Sequence, residues 1–217
     1  ERIDGQTIMD RFLKNISQSN INTPPPNNDL LLFSNKDNDV RITAKILYHI
    51  HQKSIPEMPE QAVMIKDRIS RASYLTQKEK QFLCRIVDNL PSGNSLCHGD
   101  PNPGNFIIRA GKPVIIDWMN ATTGNPAADI AEYIIMIKYA VLPPEIADSC
   151  GEFFDGIRDV IIKTFLDEYM SLSNMEYEEI EQWLIPVMAG KLSADAISDK
   201  EKRLLVEEIR KKLKNLL

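Results

Sequence analysis

The sequence lacks any apolar run near the roughly 20 residues that a membrane-crossing helix requires. Its opening also lacks the charged-then-apolar texture of a secretory leader. Cysteine is scarce: Cys84, Cys97 and Cys150 are far apart and odd in number. That fits neither a disulfide framework nor a zinc site, so reduced thiols in a cytoplasm are the natural reading. An excess of positive charge is missing as well. With 26 Lys and Arg against 31 Asp and Glu, the formal net charge is −5, which argues against a general nucleic-acid binder. A cationic small substrate would suit that balance, but solvated surface acids explain it equally well. The chain opens on Glu1 rather than a methionine, and the expectation is a processed product or an excerpt of something longer.

What is present is ordinary for a globular protein: 43% hydrophobic and 26% charged residues over 217 positions. That is enough for one sizeable domain or two small ones with a real core. Ile8, Met9, Phe12, Leu13 and Ile16 recur at helical spacing. Pro24, Pro25 and Pro26, within Asn22–Asn28, break any helix and read as a stiff connector. Helices are expected over Asp39–Gln52, Pro59–Ala72 and Thr76–Asn89. The last carries Phe82, Leu83, Ile86, Val87 and Leu90 on one stripe and starts with a Thr76-x-x-Glu79 capping box.

The texture then changes. Phe106-Ile107-Ile108 and Val114-Ile115-Ile116 are β-branched-rich runs joined by Ala110-Gly111-Lys112, a hairpin signature. Asp129–Val141 is apolar almost all round and reads as a buried helix, stopped by Pro143 and Pro144. Helices follow near Glu152–Met170, Tyr177–Ala189 and Lys200–Leu216, with Pro186 expected to kink or shorten the middle one. The expected fold class is therefore mainly α with a short β-hairpin.

Unusual polar residues bracket that hairpin. Before it stands Leu96-Cys97-His98-Gly99-Asp100-Pro101-Asn102-Pro103-Gly104-Asn105, and at its far end Ile115-Ile116-Asp117-Trp118. Two prolines and two glycines give the loop a largely predetermined path. Asp100, Asn105 and Asp117 offer oxygen ligands and a carboxylate base, the donors that hard Mg²⁺ prefers. Asp-x-x-x-x-Asn followed by an Asp ending the next hairpin matches the phosphoryl-transfer arrangement of protein kinases. There the first Asp orients or accepts the hydroxyl proton, and the Asn and later Asp hold the metal. Taken singly, Asp100 is an ordinary Asp before Pro in a turn. His49 and His51 lie two apart, so they do not share a helix face and read as surface or core residues, not as a metal pair.

His-Gly-Asp with Asn five positions on, then Ile-Asp-Trp, then Gly124-Asn125-Pro126-Ala127-Ala128-Asp129-Ile130-Ala131, resembles the aminoglycoside phosphotransferase family. That family also includes choline, homoserine and methylthioribose kinases. Glu1-Arg2-Ile3-Asp4-Gly5 resembles the segment linking its two lobes. The resemblance implies that residues 1–5 end an inter-lobe hinge and 6–217 form the C-terminal lobe of a protein-kinase-like fold. It implies Asp100 as catalytic aspartate, Asn105 and Asp117 as magnesium ligands, and ATP (or GTP) as co-substrate. His98 would scaffold the loop, and Asp129 would tie down its backbone amides. The acceptor would be a hydroxyl on a small molecule, an aminoglycoside, a choline-like compound or a sugar. Many relatives carry His at the position of Asn102, a change beside the chemistry. Acidic groups around Tyr169, Tyr177 and Trp183 stand where relatives form their acceptor pocket, and a solvated helix face accounts for them as well. No glycine-rich loop or Val-Ala-Ile-Lys-like strand is present, so the chain alone is expected to fold but to transfer phosphate poorly or not at all. The rivals are a non-catalytic pseudokinase binding module and, with too few ligands here, a metal-dependent hydrolase.

Overall fold

The computed structural model describes residues 4–18, 33, 35, 37–142 and 144–214. The proline triplet and Glu1–Ile3 of the expected hinge lie outside them, as do Leu216 and the Cys150 side chain. The chain forms two compact units, each contributed by three segments.

The first unit comprises Glu1–His49, Asp100–Trp118 and Leu142–Met175. It holds strand β1 (Gln6–Thr7), helix α1 (Ile8–Gln18), most of α2 (Asp39–His51), the expected hairpin β3 (Phe106–Arg109) and β4 (Lys112–Ile115), and α6 (Pro144–Ser173). The hairpin closes through Ala110 and Gly111, whose φ values of 48° and 75° are the paired positive angles of a two-residue type I′ turn. Sequence reading missed β1. It pairs antiparallel with β3, Gln6 opposite Ile108 and Thr7 opposite Ile107, making a three-stranded sheet. Two residues carry no detectable alternation, so only the partner strand reveals them. Helix α1 lies against β3 and the 3-10 turn Pro103–Asn105. Helices α2 and α6 meet through Tyr48 and Tyr169, whose rings lie 6.3 Å apart edge to face. Arg41 Nη1 also reaches Glu168 Oε2 at 2.8 Å.

The second unit comprises Ile50–Gly99, Met119–Val141 and Glu176–Leu217. It holds α3 (Gln61–Arg71), α4 (Gln77–Asp88), β2 (Ser95–Cys97), β5 (Thr122–Gly124), α5 (Pro126–Tyr139), α7 (Tyr177–Lys191) and α8 (Asp199–Lys214). Thr76 and Glu79 form the capping box, Glu79 N–H donating to Thr76 Oγ1 and Thr76 N–H to Glu79 Oε2. Of the α4 stripe, Leu83 and Val87 are fully covered. Strands β2 and β5, too short to announce themselves, pair antiparallel with Cys97 opposite Thr122.

Helix α5 is buried on every side, as its near-continuous apolar run requires. Its one interior glutamate, Glu132, is neutralised by Lys191 Nζ at 2.5 Å. Pro186 does not shorten α7: the helix runs on to Lys191, and the proline is itself buried. No described helix is long and apolar enough to cross a membrane. The architecture is mainly helical with small antiparallel sheets, an α+β arrangement.

Candidate functional site

The loop from Asp100 to Asn105 is shaped by its own short-range bonds. Asn102 N–H donates to Asp100 O at 2.8 Å, and Asn105 N–H to Asn102 O at 2.7 Å. Asn102 Oδ1 accepts from Gly104 N–H at 2.8 Å, the Asx turn for which a short amide side chain is suited. Pro101 and Pro103 are buried and fix the path between these bonds. Asn102 is thus the turn-maker of this loop.

Asn105 turns its Nδ2 back onto Asp100, donating to the main-chain oxygen at 3.1 Å and to Oδ2 at 3.3 Å. The hairpin register supplies the third group: Ile116 N–H donates to Asn105 O at 3.0 Å, and Asp117 follows directly. Asp117 is exposed, with φ of 61°, a left-handed conformation that a non-glycine residue adopts at some strain. Trp118 Nε1–H donates to Ile115 O at 3.1 Å and holds the turn behind it. Among the described residues no lysine, arginine or histidine pairs with Asp100 or Asp117. The structure therefore brings Asp100, Asn105 and Asp117 together in one unit, at the base of one hairpin.

His98 and Asp129 belong to the other unit. Asp129 stands in the first turn of α5, where Asn125 caps the helix by accepting Ala127 N–H and Pro126 occupies the first position. Its carboxylate accepts His98 N–H at 2.6 Å on Oδ2 and Gly99 N–H at 2.9 Å on Oδ1. His51 Nε2 lies 3.2 Å from Oδ2. Asp129 and His98 are only 2% and 0% exposed, so these bonds satisfy a carboxylate that burial would otherwise penalise heavily. The structure does not put His98 among the three oxygen donors. It is buried in the core of the second unit.

His51 is the residue that sequence reading did not find. His49 is exposed, whereas His51 is buried against Asp129, 78 positions along the chain. No local pattern encodes that pairing. Cys97 completes a cluster with them, the three ligand atoms lying within 4.8 Å of one another. Both Asp129 oxygens are already engaged by main-chain N–H groups, and burial, followed by the Asp129 charge, pushes the Cys97 thiol far up, away from the thiolate a metal needs. The cluster is a hydrogen-bonded anchor for the loop.

Of the aromatic residues considered for an acceptor pocket, Tyr169 and Trp183 are core, and Tyr177 alone is exposed. A groove of about 720 Å³ on the second unit, floored by Phe82, Ile86, Leu90 and Ile185, contains none of the predicted site residues.

The model of the phosphotransferase enzyme family matches residues 47–155, half of the chain. The chain belongs to the phosphotransferase enzyme family. The matched span of this family member contains Asp100, Asn105, Asp117, His98 and Asp129. Among solved structures, the chain is similar to choline kinase from Streptococcus pneumoniae, with 18% identity and a TM-score of 0.53 over 81% of this chain and 63% of that one. It is also similar to a glucosamine kinase (11% identity, TM-score 0.49, 100% and 60%). A Plasmodium vivax ethanolamine kinase matches with 15% identity and a TM-score of 0.40 over 97% and 64%. The likeness to the choline kinase shows a kinase-like fold for this family member. The chain spans about three fifths of the length of the solved proteins it matches. No curated protein sequence matches it.

Proposed function

We propose that the chain is the C-terminal catalytic lobe, residues 6–217 with 1–5 ending the hinge, of an ATP- and Mg²⁺-dependent small-molecule kinase. The reaction moves the γ-phosphate of ATP (or GTP) to a hydroxyl of an aminoglycoside, a choline-like compound or a sugar, in the cytoplasm. The observation that carries this reading is the gathering of Asp100, Asn105 and Asp117 at one hairpin base, with no cationic side chain on either carboxylate among the described residues.

The donor set fits a hard divalent cation: an amide oxygen and a carboxylate, with room left for phosphate oxygens. Asn105 Oδ1 and the Asp117 carboxylate would hold it. Magnesium, when bound, neutralises charge on the phosphoryl group in transit. Asp100 has the complementary task of orienting the acceptor hydroxyl and receiving its proton. The Asn105 Nδ2–H bond to Oδ2 fixes the carboxylate's orientation for that task. Positioned proton transfer of this kind contributes about 10²–10⁴ in rate, and holding the acceptor in line contributes further through orientation.

The chain contains no glycine-rich loop to cover the phosphates, so by itself it transfers phosphate poorly or not at all. Normal turnover by the isolated 217 residues would overturn that part. The test of the whole is ATP consumption by the full-length protein with Mg²⁺ over a panel of hydroxylated amines, sugars and aminoglycosides, run beside Asp100→Ala. Stimulation by one compound, abolished in the variant, supports the kinase reading. A protein that neither turns over nor binds Mg·ATP is a pseudokinase instead.

A further inference from the structure

We propose that Arg68 and Asn120 are positioning residues for the phosphoryl transfer proposed above, clasping the neck of the segment that carries the catalytic groups. The inference rests on that functional reading. Asp100, Asn105 and Asp117 all lie within Asp100–Trp118, which leaves the second unit after Gly99 and returns to it at Met119. The two ends of the segment are thus held by residues of the second unit, beside the bonds the segment makes within the first.

The ends meet within the second unit. Strands β2 and β5 pair up to Cys97 and Thr122, and beyond them the chain runs as Gly99 and Asn120 in direct contact. Gly99 has φ of 75°, and a Cβ placed on it would lie 2.1 Å from Asn120 O, so only glycine fits. Asn120 is in turn gripped from α3: Arg68 Nη2–H donates to Asn120 Oδ1 at 2.7 Å. Arg68, Gly99, Asn120 and Asp129 all line one small cavity of about 30 Å³, so clasp and anchor surround a single point.

The choice of partner is informative. Arg68 is half-buried and has no carboxylate partner among the described residues, although Glu132 lines the same cavity. Glu132 is taken by Lys191. A guanidinium directed onto a neutral amide gains less than one directed onto a carboxylate. What the arrangement achieves is orientation, because a planar donor on a helix fixes the residue that abuts Gly99. Asp129 restrains the incoming end through the His98 and Gly99 N–H groups. Arg68 and Asn120 restrain the returning end, three residues past Asp117.

The experiment compares Arg68→Met, Arg68→Lys, Asn120→Ala and the Arg68→Met/Asn120→Ala pair in the full-length protein. Hydrogen exchange of peptides spanning 98–105 and 117–120 is measured beside kcat and the nucleotide KM. Arg68→Met is expected to lower kcat about 10- to 100-fold, the scale of an ångström-level misplacement, with KM within about twofold. Amide protection should fall in those two peptides only. Arg68→Lys should recover part of both effects, and the double variant should be no worse than the worse single, as for one shared interaction. Unchanged kcat and protection in Arg68→Met would overturn the proposal, as would a loss of protection spread over the whole second unit without rescue by lysine. If the wild type phosphorylates nothing, the kinase reading fails and the exchange data decide alone: a loss confined to the two peptides supports the clasp, and no loss removes it.

Discussion

Replacing Asp129 by alanine should lower the stability of the chain by about 3–5 kcal/mol, and the structure gives the reason bond by bond. The carboxylate accepts two main-chain N–H groups at 2.6 and 2.9 Å and is 2% exposed. Hydrogen bonds to a charged acceptor contribute about 1.5–3 kcal/mol each, so the pair accounts for about 3–6. His51 at 3.2 Å adds a further partner that the deletion would strand. Against this, the adjoining cavity of about 30 Å³ can admit one water to re-satisfy a donor, which trims the loss to about 3–5 kcal/mol, the range for breaking a buried charged group's network. Asp129→Asn keeps the shape but turns an NH₂ group towards a main-chain donor. It retains one of the two acceptors, for a loss of about 2 kcal/mol. Urea unfolding is the assay, read as the shift in midpoint at constant m. The expected order is wild type, then Asn, then Ala. An alanine variant within about 1 kcal/mol of wild type would refute the reasoning, since it would mean the two N–H groups find equal partners elsewhere.

Three further outcomes follow from local geometry. Glu79 is drawn from its ordinary 4.5 down to about 2, first by the Arg210 side-chain bond. Its stabilisation is therefore complete above about pH 4.5 and is lost as pH falls towards 2, and Arg210→Ala should reduce that acid-limb slope, the Thr76 bonds keeping the remainder. Because Arg210 is 47% exposed, the effect should stay below about 1 kcal/mol and shrink in high salt. Thr76→Ala removes the capping-box acceptor of Glu79 N–H and should lower stability by about 1 kcal/mol in the same urea experiment. Ala110→Asn, at φ 48° in the I′ turn, should raise stability by about 0.5–1 kcal/mol, because asparagine tolerates the left-handed region better than alanine.

Much of the architecture was legible because its signals are local. The α4 cap lies in a four-residue spacing, the α5 burial in an unbroken apolar run, and the β3–β4 hairpin in two β-branched runs around Ala110-Gly111. What stayed hidden depends on partners far along the chain. Gln6–Thr7 becomes a strand only because Ile107 and Ile108 offer an edge. Ser95–Cys97 and Thr122–Gly124 are too short for alternation to show. Pro186 removes one ladder bond without shortening the helix, which runs through to Lys191 with the proline buried. At the site, the spacing of Asp100, Asn105 and Asp117 was readable because a single hairpin joins them. His51 and Arg68 were not, since each acts on a residue more than 50 positions away.

The positive-φ positions separate structural from functional demand. Ala110 and Asp117 both adopt left-handed backbone, at 48° and 61°, where glycine would fit with less strain. At Ala110 the chain merely turns, and nothing about the side chain is needed. At Asp117 the carboxylate is exposed and pairs with no cation among the described residues, so neither packing nor an ion pair accounts for its presence. A strained, exposed carboxylate with no cation beside it among the described residues contributes little to holding the fold. Strain at such a point is what the proposed metal-ligand role of Asp117 would account for. Asp129 stands at the opposite pole, buried, fully bonded and remote from solvent. Asp129 therefore serves folding, whereas for Asp117 the chemistry proposed above is the remaining account.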